Sequence, residues 1–152
     1  MIIIEPKERN DISGDTKLSR IYTQFQNLIK ELKERELPDK IIETVNKDIE
    51  DLNATSLVGK EFKKLIWQKM RKILNLLDKE LKIVRKNHYL SIWLSLGMSV
   101  FGLPIGVIYG LIMGNIGLLG TGFGFGMIIG MLLGTGLDKK ALKEGRQLDF
   151  EN

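Results

Sequence analysis

Two stretches decide the fold: FGLPIGVIYGLIMG, residues 101–114, and TGFGFGMIIGMLLG, residues 121–134. Laid over one another they form an internal repeat of period 20, in which Gly102, Gly106, Gly110 and Gly114 correspond to Gly122, Gly126, Gly130 and Gly134. Residues four apart share a helix face, so each stretch predicts a helix with one groove of glycines along its length. Both lie in a region, from Asn87 to Leu137, that contains no Asp, Glu, Lys or Arg. A region of roughly 50 residues is too long for one membrane crossing and suits two, since about 20 residues of helix cross a hydrocarbon core. The expected spans are residues 90–113 and 118–137.

Lipid tails are as apolar as leucine, so helices in a bilayer associate by close backbone packing, which small residues at every fourth position allow. A turn centred near Ile116 predicts a register in which Gly110 comes level with Gly122, Gly106 with Gly126, and Gly102 with Gly130. Gly120, Gly122, Gly124 and Gly126 also alternate with a period of two. An extended strand is rejected, because it would leave its backbone groups unpaired in hydrocarbon while a helix satisfies its own. Pro104 predicts a local bend in the first span. Tyr89 and Trp93 stand where amphipathic rings prefer the headgroup level.

Outward from the repeat the composition changes. Lys79, Lys82, Arg85 and Lys86 precede the first span, Lys139, Lys140, Lys143 and Arg146 follow the second, and Gly114-Asn115-Ile116-Gly117 between them is uncharged. This distribution predicts cytoplasmic N- and C-termini and a place in the inner, cytoplasmic membrane. Residues 138–152 read as a basic tail.

The first half of the 152-residue chain is charged and amphipathic. Residues 1–15, with Pro6 and Gly14, read as a loose lead-in. MIIIEPKERND has no basic region ahead of its apolar run and is not read as a secretory signal. Residues 16–87 are expected to form a cytoplasmic helical domain. Leu18, Ile21, Tyr22, Phe25, Leu28, Ile29 and Leu32 recur at spacings of three and four, predicting an amphipathic helix over 16–36. Pro38 ends it and Asp39 is expected to cap the next, over 40–52, with Ile42, Val45, Ile49 and Leu52 on one stripe. A third starts near Lys60 on Phe62, Ile66, Met70, Ile73, Leu77, Leu81 and Val84. No proline or glycine occurs between Lys60 and Leu96, so this helix is free to run on into the first span. Three stripes bury one another most simply as a bundle or hairpin. The fold class is therefore all-α: an N-terminal amphipathic domain of about three helices, then a two-helix transmembrane glycine-zipper hairpin over 88–137.

KNHYLSIWLSLGMSVFGLPIGVIYGLIMGNIG, the second glycine series and the closing DKKALKEGRQL together resemble a group of small bacterial glycine-zipper membrane proteins. The likeness covers roughly the second half of the chain. It implies a two-span hairpin and carries no biochemical activity with it. The c subunit of rotary ATP synthases is another glycine-rich hairpin, but the ion-carrying carboxylate of its second helix has no counterpart between Asn87 and Leu137.

Catalytic chemistry needs converging polar groups, and few are offered. His88 is the single histidine and there is no cysteine, so thiolate and multi-histidine metal sites and disulfides are excluded. The glycine series lack the Gly-Lys-Ser/Thr ending of a phosphate loop and the spacing of a dinucleotide fingerprint. Glu31, Glu34, Asp48 and Asp51 are expected on wet faces. Lys60, Lys63, Lys64, Lys69, Arg71 and Lys72 have Glu61, Asp78 and Glu80 interspersed and read as a solvated helix face rather than a nucleic-acid patch, with Trp67 as a packing residue beside it. No catalytic residue, cofactor or metal is assigned. The expected function is a membrane-anchored interaction or scaffold protein, whose partners are the lipid bilayer and a second copy or another protein. The alternative is a homo-oligomeric channel assembled through the glycine faces, against which the spans offer few pore-lining groups: Ser91, Ser95, Ser99, Asn115, Thr121 and Thr135.

Overall fold

A computed structural model describes residues 2–9, 12 and 15–149. The described residues are mostly helical, and the chain divides into two compact units, Met1–Val84 with Leu148–Asn152, and Arg85–Gln147.

The first unit contains α1 (Thr16–Lys33), α2 (Asp39–Ala54) and α3 (Gly59–Leu81). Asp15 starts α1 by accepting the amide protons of Lys17 at 2.9 Å and Leu18 at 3.1 Å, two of the donors a helix start leaves unpaired. The cap position of α2 is Pro38; Asp39, expected as a cap, is instead its first residue. The stripes pack as their spacing requires, with α3 lying against both α1 and α2. Phe25, Leu28, Leu32, Val45, Ile49, Phe62, Ile66, Ile73 and Leu77 are fully buried. Burial of such side chains stabilises by roughly 1.5–3 kcal/mol each before chain entropy is charged against it.

The lead-in is not loose over its described residues. Residues 2–9 run extended along α2, and two asparagines two helical turns apart hold them. Asn46 accepts from the Ile4 amide at 3.0 Å and donates to the Ile2 carbonyl at 2.9 Å. Asn53 repeats the arrangement with the Lys7 amide at 2.8 Å and the Glu5 carbonyl at 3.2 Å. A carboxamide offers a donor and an acceptor in one plane, so each asparagine imitates the edge of a peptide strand. Ile3 drops into the core beneath, Tyr22 donates to the Lys7 carbonyl at 2.5 Å, and the Arg9 guanidinium lies 4.1 Å from the centre of the Phe62 ring.

Two of the carboxylates expected on wet faces are placed otherwise. Asp48 is fully buried, accepting from Lys69 at 2.9 Å and Lys72 at 2.8 Å, so these two lysines bridge α3 to α2. Glu31 is half-buried and accepts from Arg35 at 2.9 Å and the Asp149 amide at 2.8 Å. Asp51 is exposed and pairs with Lys69. The hydrogen bond from Lys69, reinforced by its charge, holds the Asp51 carboxyl below its usual range. Burial works against the Lys69 charge, but its hydrogen bonds to Asp48 and Asp51 outweigh that and raise its pKa.

Helix α3 does not continue into the apolar region. It ends at Leu81 because Lys82 takes a left-handed conformation, φ 56°, its amide bonding back to Asp78. Val84–Arg85 (β1) pairs with Gln147–Leu148 (β2), and Asn87, also left-handed at φ 59°, turns the chain into the next helix. The second unit holds α4 (His88–Leu96), a wide π turn (Gly97–Gly102), α5 (Leu103–Ile112), a 3₁₀ turn (Ile116–Leu118) and α6 (Leu119–Lys143). The residues expected as a basic tail are thus in part helix: α6 runs six residues past Leu137, Asp138 and Ala141 are buried on it, and Leu148 is buried in the core of the first unit.

Replacing Phe62 by alanine empties the centre of the first core and is expected to cost about 3–5 kcal/mol, measured as a shift in its denaturation midpoint. The Asp51–Lys69 pair contributes fully above the ordinary carboxylate pKa of about 4 and is lost as the pH falls through the lowered value. Carboxyl titration by NMR is expected to show Asp51 returning to the ordinary range in Lys69→Met.

Candidate functional site

Residues 88–112 and 116–143 form two helices long and apolar enough to cross a membrane, and only 17% of the most apolar window of each is buried. A core helix of a water-soluble domain would show the reverse. Among the described residues, every large apolar side chain left exposed lies in this unit, apart from Ile2, Leu57, Val58 and Trp67. What the hairpin buries is glycine: Gly97, Gly102, Gly106 and Gly110 on one side, Gly122, Gly126, Gly130 and Gly134 on the other.

The approach is closer than any side chain permits. A Cβ placed on Gly122 would lie 2.1 Å from the Gly102 carbonyl oxygen, and one on Gly126 2.3 Å from that of Gly97. On Gly130 it would meet the Trp93 carbonyl at 2.2 Å, and on Gly134 the Leu90 Cα at 2.6 Å. On Gly106 it would meet the Leu119 carbonyl at 2.3 Å. All of these are backbone atoms, which cannot swing aside. At Gly120, Gly124 and Gly136, on the outer surface, a Cβ would meet nothing.

The register differs from the expected one by about a turn. Gly122 faces Gly102 and Gly106 rather than Gly110, Gly126 faces Gly97 and Gly102, and Gly110 lies over Asn115 and Ile116. The cause is the turn. Gly114 is not a packing residue: it is exposed, takes φ 64° and reverses the chain, so the hairpin closes earlier than Ile116. Asn115 then accepts the Gly117 amide at 2.9 Å and starts the 3₁₀ turn. The eighth packing glycine is Gly97, five residues before Gly102. A regular helix would rotate it off the face. The π turn corrects this, since its wider winding, seen in the Leu103 amide bonding to Met98 five residues back, brings a five-residue interval to one face. Pro104, expected to bend the span, follows directly and lacks the amide that would have bonded four residues back.

Asp138 closes the open end. It continues the spacing of Gly122, Gly126, Gly130 and Gly134 by one more step of four, which is the signal a sequence reading could have used. Its carboxylate is buried and accepts the Tyr89 amide at 3.1 Å and the Leu90 amide at 2.9 Å. The carboxylate of α6 therefore caps the first turn of α4, supplying charge-assisted bonds at the positive end of that helix. Beyond α6, Arg146 binds Glu144 through its Nε at 2.8 Å and holds that carboxyl below its usual range.

No family model, curated protein or solved structure matches this chain. Among the described residues no group of His, Cys, Asp or Glu is arranged to hold a metal ion. Four hydroxyls of the hairpin are spent on its own backbone: Ser95 donates to Ser91 at 3.1 Å, Ser99 to Ser95 at 2.9 Å, Thr121 to Leu118 at 2.7 Å and Thr135 to Met131 at 2.7 Å. His88 lies edge-on to Tyr89, 5.2 Å between ring centres, at the start of α4. The arrangement is built to hold two helices together.

Gly122→Ile is expected to destabilise the helix pair by more than about 3 kcal/mol, at or beyond the upper end of overpacking costs, whereas Gly124→Ile stays within about 0.5 kcal/mol. Asp138→Ala is expected to cost about 1–2 kcal/mol, as for the loss of a helix cap. Thermal melts of the full chain in detergent, followed by circular dichroism, check all three.

Proposed function

We propose that the chain is an integral membrane protein of the inner, cytoplasmic membrane. Residues 88–137 cross the bilayer twice as a glycine-zipper hairpin, and the helical domain is held in the cytoplasm as an interaction or scaffold module. One observation carries this reading: the glycine backbones are inside the helix pair and the large apolar side chains are outside it. In water the exposed Val107, Ile108, Leu111, Ile112, Ile128, Leu132 and their neighbours would form a patch far larger than soluble monomers carry. In lipid they are solvated, each strongly apolar residue contributing roughly 0.3–0.6 kcal/mol to insertion.

The flanking lysines and arginines support cytoplasmic termini, and the short uncharged turn at Gly114–Ile116 is cheap to translocate. Self-satisfied hydroxyls and a closed glycine interior favour an anchor over a water-filled channel. In this reading the function rests with what the anchored domain holds. The reading agrees with the resemblance to small bacterial glycine-zipper proteins.

The native chain has no cysteine, so single cysteines report topology cleanly. In intact cells a membrane-impermeant maleimide is expected to label Asn115→Cys at once and Lys143→Cys only after permeabilisation, while the protein resists alkaline carbonate extraction. Release into carbonate contradicts membrane insertion; the opposite labelling contradicts the orientation. Crosslinking in native membranes is expected to join lysines of α1–α3 reproducibly to a partner or a second copy. A strictly monomeric protein with no such crosslinks contradicts the scaffold role.

A further inference from the structure

At the end of the hairpin where the chain enters α4 and leaves α6 lies a cleft of about 220 Å³, lined by Lys86, Asn87, Thr135, Asp138, Lys139, Leu142 and Gln147. Helix spacing builds one wall: Thr135, Asp138, Lys139 and Leu142 follow one another at intervals of three and one, then three, on a single face of α6. The left-handed turn at Asn87 sets Lys86 and Asn87 against that wall.

We propose that this cleft is a binding site for the phosphate group of an anionic phospholipid headgroup. Lys86 and Lys139 are exposed, and neither is in an ion pair among the described residues. Two unspent cations at one small opening favour an anion. The one lining carboxylate, Asp138, directs both oxygens to the Tyr89 and Leu90 amides, and the positive end of α4 partly offsets its charge. The carboxamide of Asn87 adds a neutral donor able to bond a phosphate oxygen.

Size and polarity narrow the ligand. A phosphate group is small enough to sit in an opening of this size. The exposed lining is mostly apolar, and Leu142, 60% exposed, belongs to it, a surface against which a glycerol or acyl segment can lie. A free anion has no use for that surface. The inference rests on the membrane reading above, which puts this end of the hairpin at the level of lipid headgroups, where basic pockets between spanning helices bind anionic lipids.

The test uses the full chain in vesicles of equimolar phosphatidylcholine and phosphatidylglycerol, with alkaline-resistant association scored first and bound lipid then read by native mass spectrometry after gentle extraction. The wild type is expected to retain phosphatidylglycerol over phosphatidylcholine. The double variant Lys86→Gln/Lys139→Gln is expected to insert equally and lose that preference on the order of tenfold. The charge-matched Lys140→Gln/Lys143→Gln is expected to keep it. Inorganic phosphate is tested in parallel: phosphate bound without lipid preference, and lost only in the Lys86/Lys139 variant, supports the site and assigns it to the free anion. Equal losses in both double variants mean diffuse charge attraction and overturn the proposal, as does a wild type that inserts but retains both lipids alike; the hairpin reading survives either result. A wild type that fails to insert overturns both.

Discussion

Contact between two glycine-faced helix backbones is the constraint on which the hairpin depends. With a Cβ on Gly122 only 2.1 Å from a carbonyl oxygen, no larger residue fits without moving a helix. Other features of the unit serve this contact. The π turn returns Gly97 to the face after a five-residue interval, Gly114 reverses the chain early enough to set the register, and Asp138 ties the far end by capping α4. Dispersion between close backbones, and not exclusion of water, can hold such a pair where the surroundings are themselves apolar.

The two units follow different physics. Among the described residues of the first unit most apolar side chains point inward and most charge lies outside, while Asp48 is buried and held by Lys69 and Lys72. In Arg85–Gln147 the order is inverted, with glycine inside and leucine, isoleucine and methionine outside. In the proposed reading the first arrangement suits water and the second suits lipid. That division underlies the proposed role as an anchored module.

Much of this was legible in the sequence because periodicity reports on faces. The stripes of α1, α2 and α3, and seven of the eight glycines expected to pack, follow from spacing alone. What escaped was set by local geometry that spacing does not encode. Gly97 was missed because a five-residue interval breaks the regular pattern, and only a π turn repairs it. The register was misjudged because Gly114 belongs to the turn, a role its place in the series disguises. Helix α3 was free to continue on composition, yet Lys82 and Asn87 take left-handed conformations that no propensity argument places there. The extended strap at residues 2–9 depends on Asn46 and Asn53 forty-odd positions away, and the burial of Asp48 depends on two lysines of another helix. Pairings of that range are decided by the packed fold.

The most direct measurement is solid-state NMR of the full chain, labelled with carbon-13 at glycine Cα and reconstituted in lipid bilayers. Through-space cross-peaks are expected between the Cα atoms of Gly106 and Gly122 and of Gly102 and Gly126. Peaks pairing Gly110 with Gly122 and Gly106 with Gly126 instead, or no inter-helix glycine contacts at all, would contradict the close-packed hairpin in this register.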